Sequence, residues 1–93
     1  MSTTKIIAII ASAGGLEAIC DVLSELPADY PNAVIVASHS SPSSRLFEVL
    51  GLRRDISIEL VRAQDKQDLL PGRVYIVPGA RHAFVMGYQM SLS

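Results

Sequence analysis

Two stretches of the chain, KIIAIIA at residues 5–11 and AVIVAS at 33–38, are nearly continuous apolar runs. A strand with one wet face would alternate apolar and polar residues, and these do not. They suit strands buried on both faces, the usual condition in a parallel sheet. Between them Leu16, Ile19, Cys20, Leu23 and Leu26 recur at helical spacing, and Pro27 ends that pattern before the loop PADYPN. Strand, helix, strand in this order implies a right-handed crossover between parallel strands.

The rest of the chain extends that unit. SPSSRLFEVLGL reads as a second helix, with Ser41 as cap, Pro42 at the first helical position and Gly51 near the end. ISIELV at 56–61 alternates, which fits a strand nearer a sheet edge. AQDKQDLLPG is a polar loop closing on a Pro-Gly turn, and RVYIVP at 73–78 is a fourth strand. RHAFVMGYQMSLS predicts a hairpin turning near Gly87-Tyr88. The expected fold is α/β: a doubly wound, mostly parallel, Rossmann-like sheet with a C-terminal β-hairpin.

Composition narrows the classes of function. With 93 residues the chain suits one small domain. Eight basic residues against nine acidic ones give a net charge of −1, which offers no nucleic-acid surface and no basic membrane-docking face. The apolar runs fall far short of the roughly 20 residues that span a bilayer, and MSTTK leads straight into a strand with no signal-peptide pattern. One cysteine, Cys20, permits no internal disulfide, and a cytoplasmic protein is the expectation. One cysteine and two separated histidines, His39 and His82, give no metal-site spacing, and no cofactor motif is present. The mean hydropathy of +0.35, with only 18% charged residues, is high for a small domain. It predicts that the chain buries surface against something it does not itself contain.

In doubly wound sheets ligands bind beyond the carboxyl ends of the strands, where strand order reverses. Ser12 follows the first strand and His39 the second. If those strands are neighbours, a hydroxyl and an imidazole meet at the binding edge. Three readings of Ser12 compete. It is a nucleophile on a sharp strand-to-helix turn, with His39 as base and the amides after the serine receiving an oxyanion. It is an ordinary helix cap. Or SAGGLE cradles a phosphate, which the missing G-x-G-x-x-G spacing and Walker lysine disfavour. His82 and Cys20 read as structural, the latter as a packed thiol on the helix's apolar stripe. A third residue should orient the histidine. Asp65, after the third strand, stands at the correct edge but in a polar stretch, so the residues supply a dyad without a clear acid.

IIASAGGLEAI, ASHSSP and LLPGRVYIVPGARHAFV, in that order, resemble the first half of the catalytic domain of CheB-type protein-glutamate methylesterases of bacterial chemotaxis. The resemblance implies a doubly wound α/β domain that hydrolyses glutamate methyl esters on chemoreceptors with a serine–histidine–aspartate triad. By motif, Ser12 corresponds to the nucleophile and His39 to the base, and Ala13, Gly14 and Gly15 to the residues after the nucleophile. Ile10 stands where the family usually has glycine, Ala13 where threonine is frequent, and Ser38 where glutamine is frequent. The family's aspartate belongs to the second half of the domain. The expectation is therefore that residues 1–93 form the N-terminal half of such a domain, without a receiver domain and weakly active or inactive alone. The methylated chemoreceptor is then the implied partner, and homo-oligomerisation through the open sheet is expected. The rival class is a non-catalytic interaction module derived from the same fold.

Overall fold

A computed structural model describes residues 4–11, 15–38, 45–78 and 81–93. Strand β1 (Ile6–Ala11) is followed by helix α1 (Leu16–Ser24), β2 (Ala33–Ser38), α2 (Leu46–Gly51), β3 (Glu59–Arg62), β4 (Gln67–Asp68), β5 (Arg73–Ile76), β6 (Ala83–Met86) and β7 (Gln89–Leu92). The strands form two sheets. The larger has the order β1-β2-β5-β3 and is parallel throughout, and the smaller has the order β4-β7-β6 and is antiparallel.

Alternation along each strand divides the apolar residues between two cores. Val34, Val36, Val74 and Ile76 point to one face, where they pack with Ile19, Cys20 and Leu23 of α1, Leu50 of α2 and Ile58. Ile7, Ile9 and Leu60 complete that layer. On the opposite face Ala33, Ile35, Tyr75 and Val77 pack against Leu69, Met90 and Leu92, joined by Ile6, Ala37 and Val61. The register explains the neatness: Ile7 lies beside Val34, Val34 beside Val74, and Val74 beside Leu60, so one row of side chains crosses all four strands. β2 is thus covered by helices on one side and by the small sheet on the other, whereas β1 is covered on its helix face and, on the other, at Ile6.

Both described helices therefore lie on the same face. Double winding needs a second helical layer, and among the described residues the small antiparallel sheet occupies that place. β6 and β7 pair across the two-residue connection Gly87-Tyr88. Gly87 has φ +62°, the conformation a two-residue hairpin asks of a glycine at its first central position.

Two other local features differ from the sequence reading. The third strand begins at Glu59 rather than Ile56, although Ile56 and Ile58 still contribute to the helix-side core. The polar stretch 63–72 contains β4, whose two residues pair with β7. The caps expected at Ser41 and Pro42 lie outside the described residues, and the described part of the second helix starts at Leu46.

The amino ends of three strands are tied by one residue. Asn32 accepts the Lys5 N–H with its side-chain Oδ1 (2.9 Å) and the Gly72 N–H with its backbone carbonyl (3.1 Å). Gly72 makes this approach at φ +77°.

Candidate active site

The carboxyl ends of β1 and β2 are where the chemistry is expected. The strands are parallel neighbours, and their pairing runs without a slip from Ile6 opposite Ala33 to Ala11 opposite Ser38. Neighbouring strands lie about 4.8 Å apart. Ser12 and His39 are each the next residue after the Ala11–Ser38 pair. Both lie outside the described residues, as do Ala13 and Gly14, so the pairing locates the chain entering the two positions rather than the side chains themselves.

The beginning of α1 bears on the capping alternative. The N-cap position belongs to Gly15, which offers no side-chain hydrogen bond, and the first helical turn is closed by Ile19 N–H donating to the Gly15 carbonyl (3.0 Å). Ser12 stands three residues before that cap. Four residues, 12–15, thus link the strand to the helix.

Asp65 has a different employment from the one a triad would give it. Its Oδ1 accepts the backbone N–H of Leu92 at 2.8 Å, tying the loop after β3 to the last strand of the small sheet. Tyr75 acts alongside it. Its side chain is fully buried, and its hydroxyl accepts the Leu70 N–H (2.8 Å) while donating to the Asp68 carbonyl (3.2 Å). The polar stretch 63–72 is thereby fastened over the sheet.

At the carboxyl end of β3, Arg62 lies over the Phe47 ring, 4.5 Å from its centroid, and donates to Glu48 at 2.9 Å. That hydrogen bond holds the Glu48 carboxyl below its ordinary value. This trio left no motif in the sequence, because its members come from α2 and β3 and meet only through the fold. Arg73 and Glu59 form an ion pair (3.3 Å) at the opposite, amino end of their strands. Cys20 is buried within the helix-side core. The backbone of His82 pairs in both directions with that of Ser93, and its side chain is exposed. Among the described residues, no group of three or more His, Cys, Asp or Glu side chains is placed to hold a metal ion. No helix among them is long and apolar enough to cross a membrane.

The CheB methylesterase family model matches residues 7–93. The chain belongs to that family. Among its curated relatives, the protein-glutamate methylesterase/protein-glutamine glutaminase of Pectobacterium atrosepticum is 42% identical over 82 residues, covering 88% of this chain and 23% of the relative. The protein of the same name from Hydrogenovibrio crunogenus is 40% identical over 81 residues, covering 87% and 21%. The chain therefore spans less than a quarter of the length of these relatives. The crystal structure of the Thermotoga maritima CheB methylesterase catalytic domain shares the fold, with a TM-score of 0.74 over 98% of this chain and 49% of that one, at 24% identity. The mixed α/β architecture with a parallel sheet is thus that of about half a catalytic domain.

Proposed function

We propose that residues 1–93 form the N-terminal half of a protein-glutamate methylesterase domain and supply the nucleophile and base of its site. Ser12 attacks the γ-carbonyl of a glutamate methyl ester while His39 takes the hydroxyl proton. The tetrahedral intermediate collapses, the C–O bond to the methoxy group breaks, and His39 returns the proton so that methanol leaves. Water, deprotonated by His39, then opens the acyl-enzyme to glutamate and regenerates the serine. Attack on a glutamine side chain by the same route would release ammonia, the second activity in the relatives' names. The observation that carries this reading is the unbroken parallel pairing of β1 with β2 up to Ala11 and Ser38. It supports the reading because the chain runs on from the same end of two paired strands, at Ala11 and Ser38, into both candidate positions.

The orienting acid comes from the second half of the domain, where the sheet gains its other helical layer and becomes doubly wound. Asp65 is assigned a structural role instead, since its Oδ1 accepts the Leu92 N–H. The substrate is a methylated chemoreceptor, and the setting is the cytoplasm. The test is methanol release from a receptor peptide carrying a glutamate methyl ester. The chain alone should turn over weakly or not at all, since losing the orienting aspartate of a triad costs about 10⁴ in turnover. Joined to a complementary half it should turn over, and Ser12→Ala should abolish this. Turnover that survives Ser12→Ala refutes the assignment.

A second reading rests on β6, every residue of which is exposed, including Phe84 and Met86. Such a strand suits a non-catalytic module that associates with itself. Light scattering separates the two: a concentration-dependent oligomer of otherwise inactive chains, with no gain of activity on joining the second half, favours the module.

A further inference from the structure

Charges are paired differently at the two ends of the parallel sheet. At the amino end Arg73 and Glu59 lie in register on β5 and β3, one cation with one carboxylate (3.3 Å). At the carboxyl end two arginines share a carboxylate. Glu48 accepts a hydrogen bond from Arg62 at 2.9 Å, and the charge of Arg45, directly before α2, also acts on the Glu48 carboxyl. Among the described residues Arg62 has Glu48 as its one ion-pair partner, and Arg45 has none. The cluster therefore keeps a net positive charge. Arg45, Glu48 and Arg62 are all exposed.

The Arg62 guanidinium is held from two directions. The Phe47 ring lies 4.5 Å from it on one face, and Phe47 is itself packed against the helix-side core. Glu48, the next residue of α2, takes one of its nitrogens. A guanidinium presents its donors as a rigid planar fork, and this carboxylate uses only part of it. An arginine already laid on a ring loses less rotamer freedom when it binds than one on a mobile stem. Its place in the sheet matters as much. Arg62 is the last residue of β3, and β5 alone separates β3 from β2. At about 4.8 Å per strand, it stands about 10 Å from β2 and about 14 Å from β1 across the sheet. This is the end of the sheet from which the chain runs on into positions 12 and 39.

We propose that Arg62, assisted by Arg45, binds a carboxylate of an acidic peptide substrate, on a residue other than the one being hydrolysed. The proposal rests on the methylesterase reading above and gives that site a preference among substrates. Hydrolysis of an ester or amide side chain leaves a glutamate, so a peptide with several such sites gains one carboxylate per turnover. A cationic subsite about 10–14 Å along the same edge favours a peptide that already carries one. Each hydrolysis then improves the binding of the next site. Glu48 is the built-in competitor. It occupies part of the fork and keeps the affinity low, which suits a site that must release an acidic product.

The probe is a synthetic peptide of neutral residues with a central glutamine and one glutamate three residues to each side, about 10 Å away in an extended chain. Its control carries glutamine in place of both glutamates. Titration into the full chain is followed by NMR of the arginine side-chain Nε–H signals. The acidic peptide should move the signals of Arg62 and Arg45 and leave that of Arg73 in place. It should bind roughly threefold to tenfold more tightly than the control at low salt, the range expected of exposed charge pairs, and the difference should close as salt is added. Arg62→Gln should remove the preference, and Arg62→Lys should keep only part of it because the fork is lost. Glu48→Gln should strengthen the binding by removing the competitor, and Arg73→Gln should leave it unchanged. Equal affinity for the two peptides, binding of neither, or an equal loss in Arg73→Gln would overturn the proposal. So would inorganic phosphate moving the same signals at equal ionic strength, which would make the cluster a general anion site. A preference for the acidic peptide without Ser12-dependent turnover in the joined protein would leave the peptide site standing and refute only the catalytic reading.

Discussion

Replacing Asp65 separates two roles that a carboxylate after the third strand can have. Oδ1 of Asp65 accepts the Leu92 N–H at 2.8 Å in a partly buried position, and Leu92 is itself buried in the core beneath the small sheet. Asp65→Ala leaves that N–H without a partner. A hydrogen bond to a charged group contributes about 1.5–3 kcal/mol, and partial burial places this one near the lower end, at about 1–2 kcal/mol. For a chain this small, m in urea is about 1 kcal/mol/M, so the unfolding midpoint should fall by about 1–2 M. Asp65→Asn keeps an acceptor oxygen but loses the charge, which roughly halves the bond, so it should cost about half as much. In the protein joined to a second half, Asp65→Asn should leave ester turnover within a few fold. A triad acid replaced by its amide would instead lower it by about 10⁴. Equal stability of wild type and Asp65→Ala would show that the Leu92 N–H is served by solvent. A 10⁴ loss in Asp65→Asn would return Asp65 to the catalytic site.

Tyr75→Phe keeps the buried ring but strands the Leu70 N–H and the Asp68 carbonyl; a loss of about 1–2 kcal/mol is expected, read as a melting temperature lower by about 4–16 °C. Gly72→Ala should cost about 1–2 kcal/mol because the residue sits at φ +77°, and a new Cβ would lie 3.4 Å from the Ala28 carbonyl oxygen. Gly87→Ala meets open space, so it should cost less than Gly72→Ala in the same denaturation experiment. The Glu48 carboxyl should titrate below its ordinary 4.5 by NMR, and Arg62→Ala should raise its midpoint toward that value. Because the folded-state value is the depressed one, any stabilisation from this pair is present above the unfolded value and is lost as pH falls through the folded one.

The parts of the fold legible in the sequence are those written in local periodicity. β1, β2 and the stripe of Ile19, Cys20 and Leu23 follow from runs and spacings within a few residues. The insertion of β5 between β2 and β3 does not, because nothing local in RVYIVP distinguishes a central strand from a neighbour. β4 was hidden for a related reason: Gln67 and Asp68 have no strand propensity and are extended only because β7 pairs with them. The employment of Asp65 depends on an amide 27 residues away and has no sequence signature. At the site, the parallel pairing of the two strands was readable from their uninterrupted apolar character. The acid was not, because the carboxylate that stood at the correct edge is bound to the small sheet.

The high mean hydropathy has a location. Some exposed apolar residues, such as Leu16 and Val22 on α1 and Val49 on α2, are single positions on helix surfaces of the kind any protein shows. β1 and the hairpin differ. Ile10 is 72% exposed, Met86 87%, and Phe84, Val85 and Tyr88 all remain at least partly uncovered. Tyr88 links the two features by bonding to Thr4, directly before β1. Ile10 itself stands where the family resemblance puts glycine, two residues before the candidate nucleophile. Its side chain points to the small-sheet face, away from the helices, where the described residues leave it mostly open.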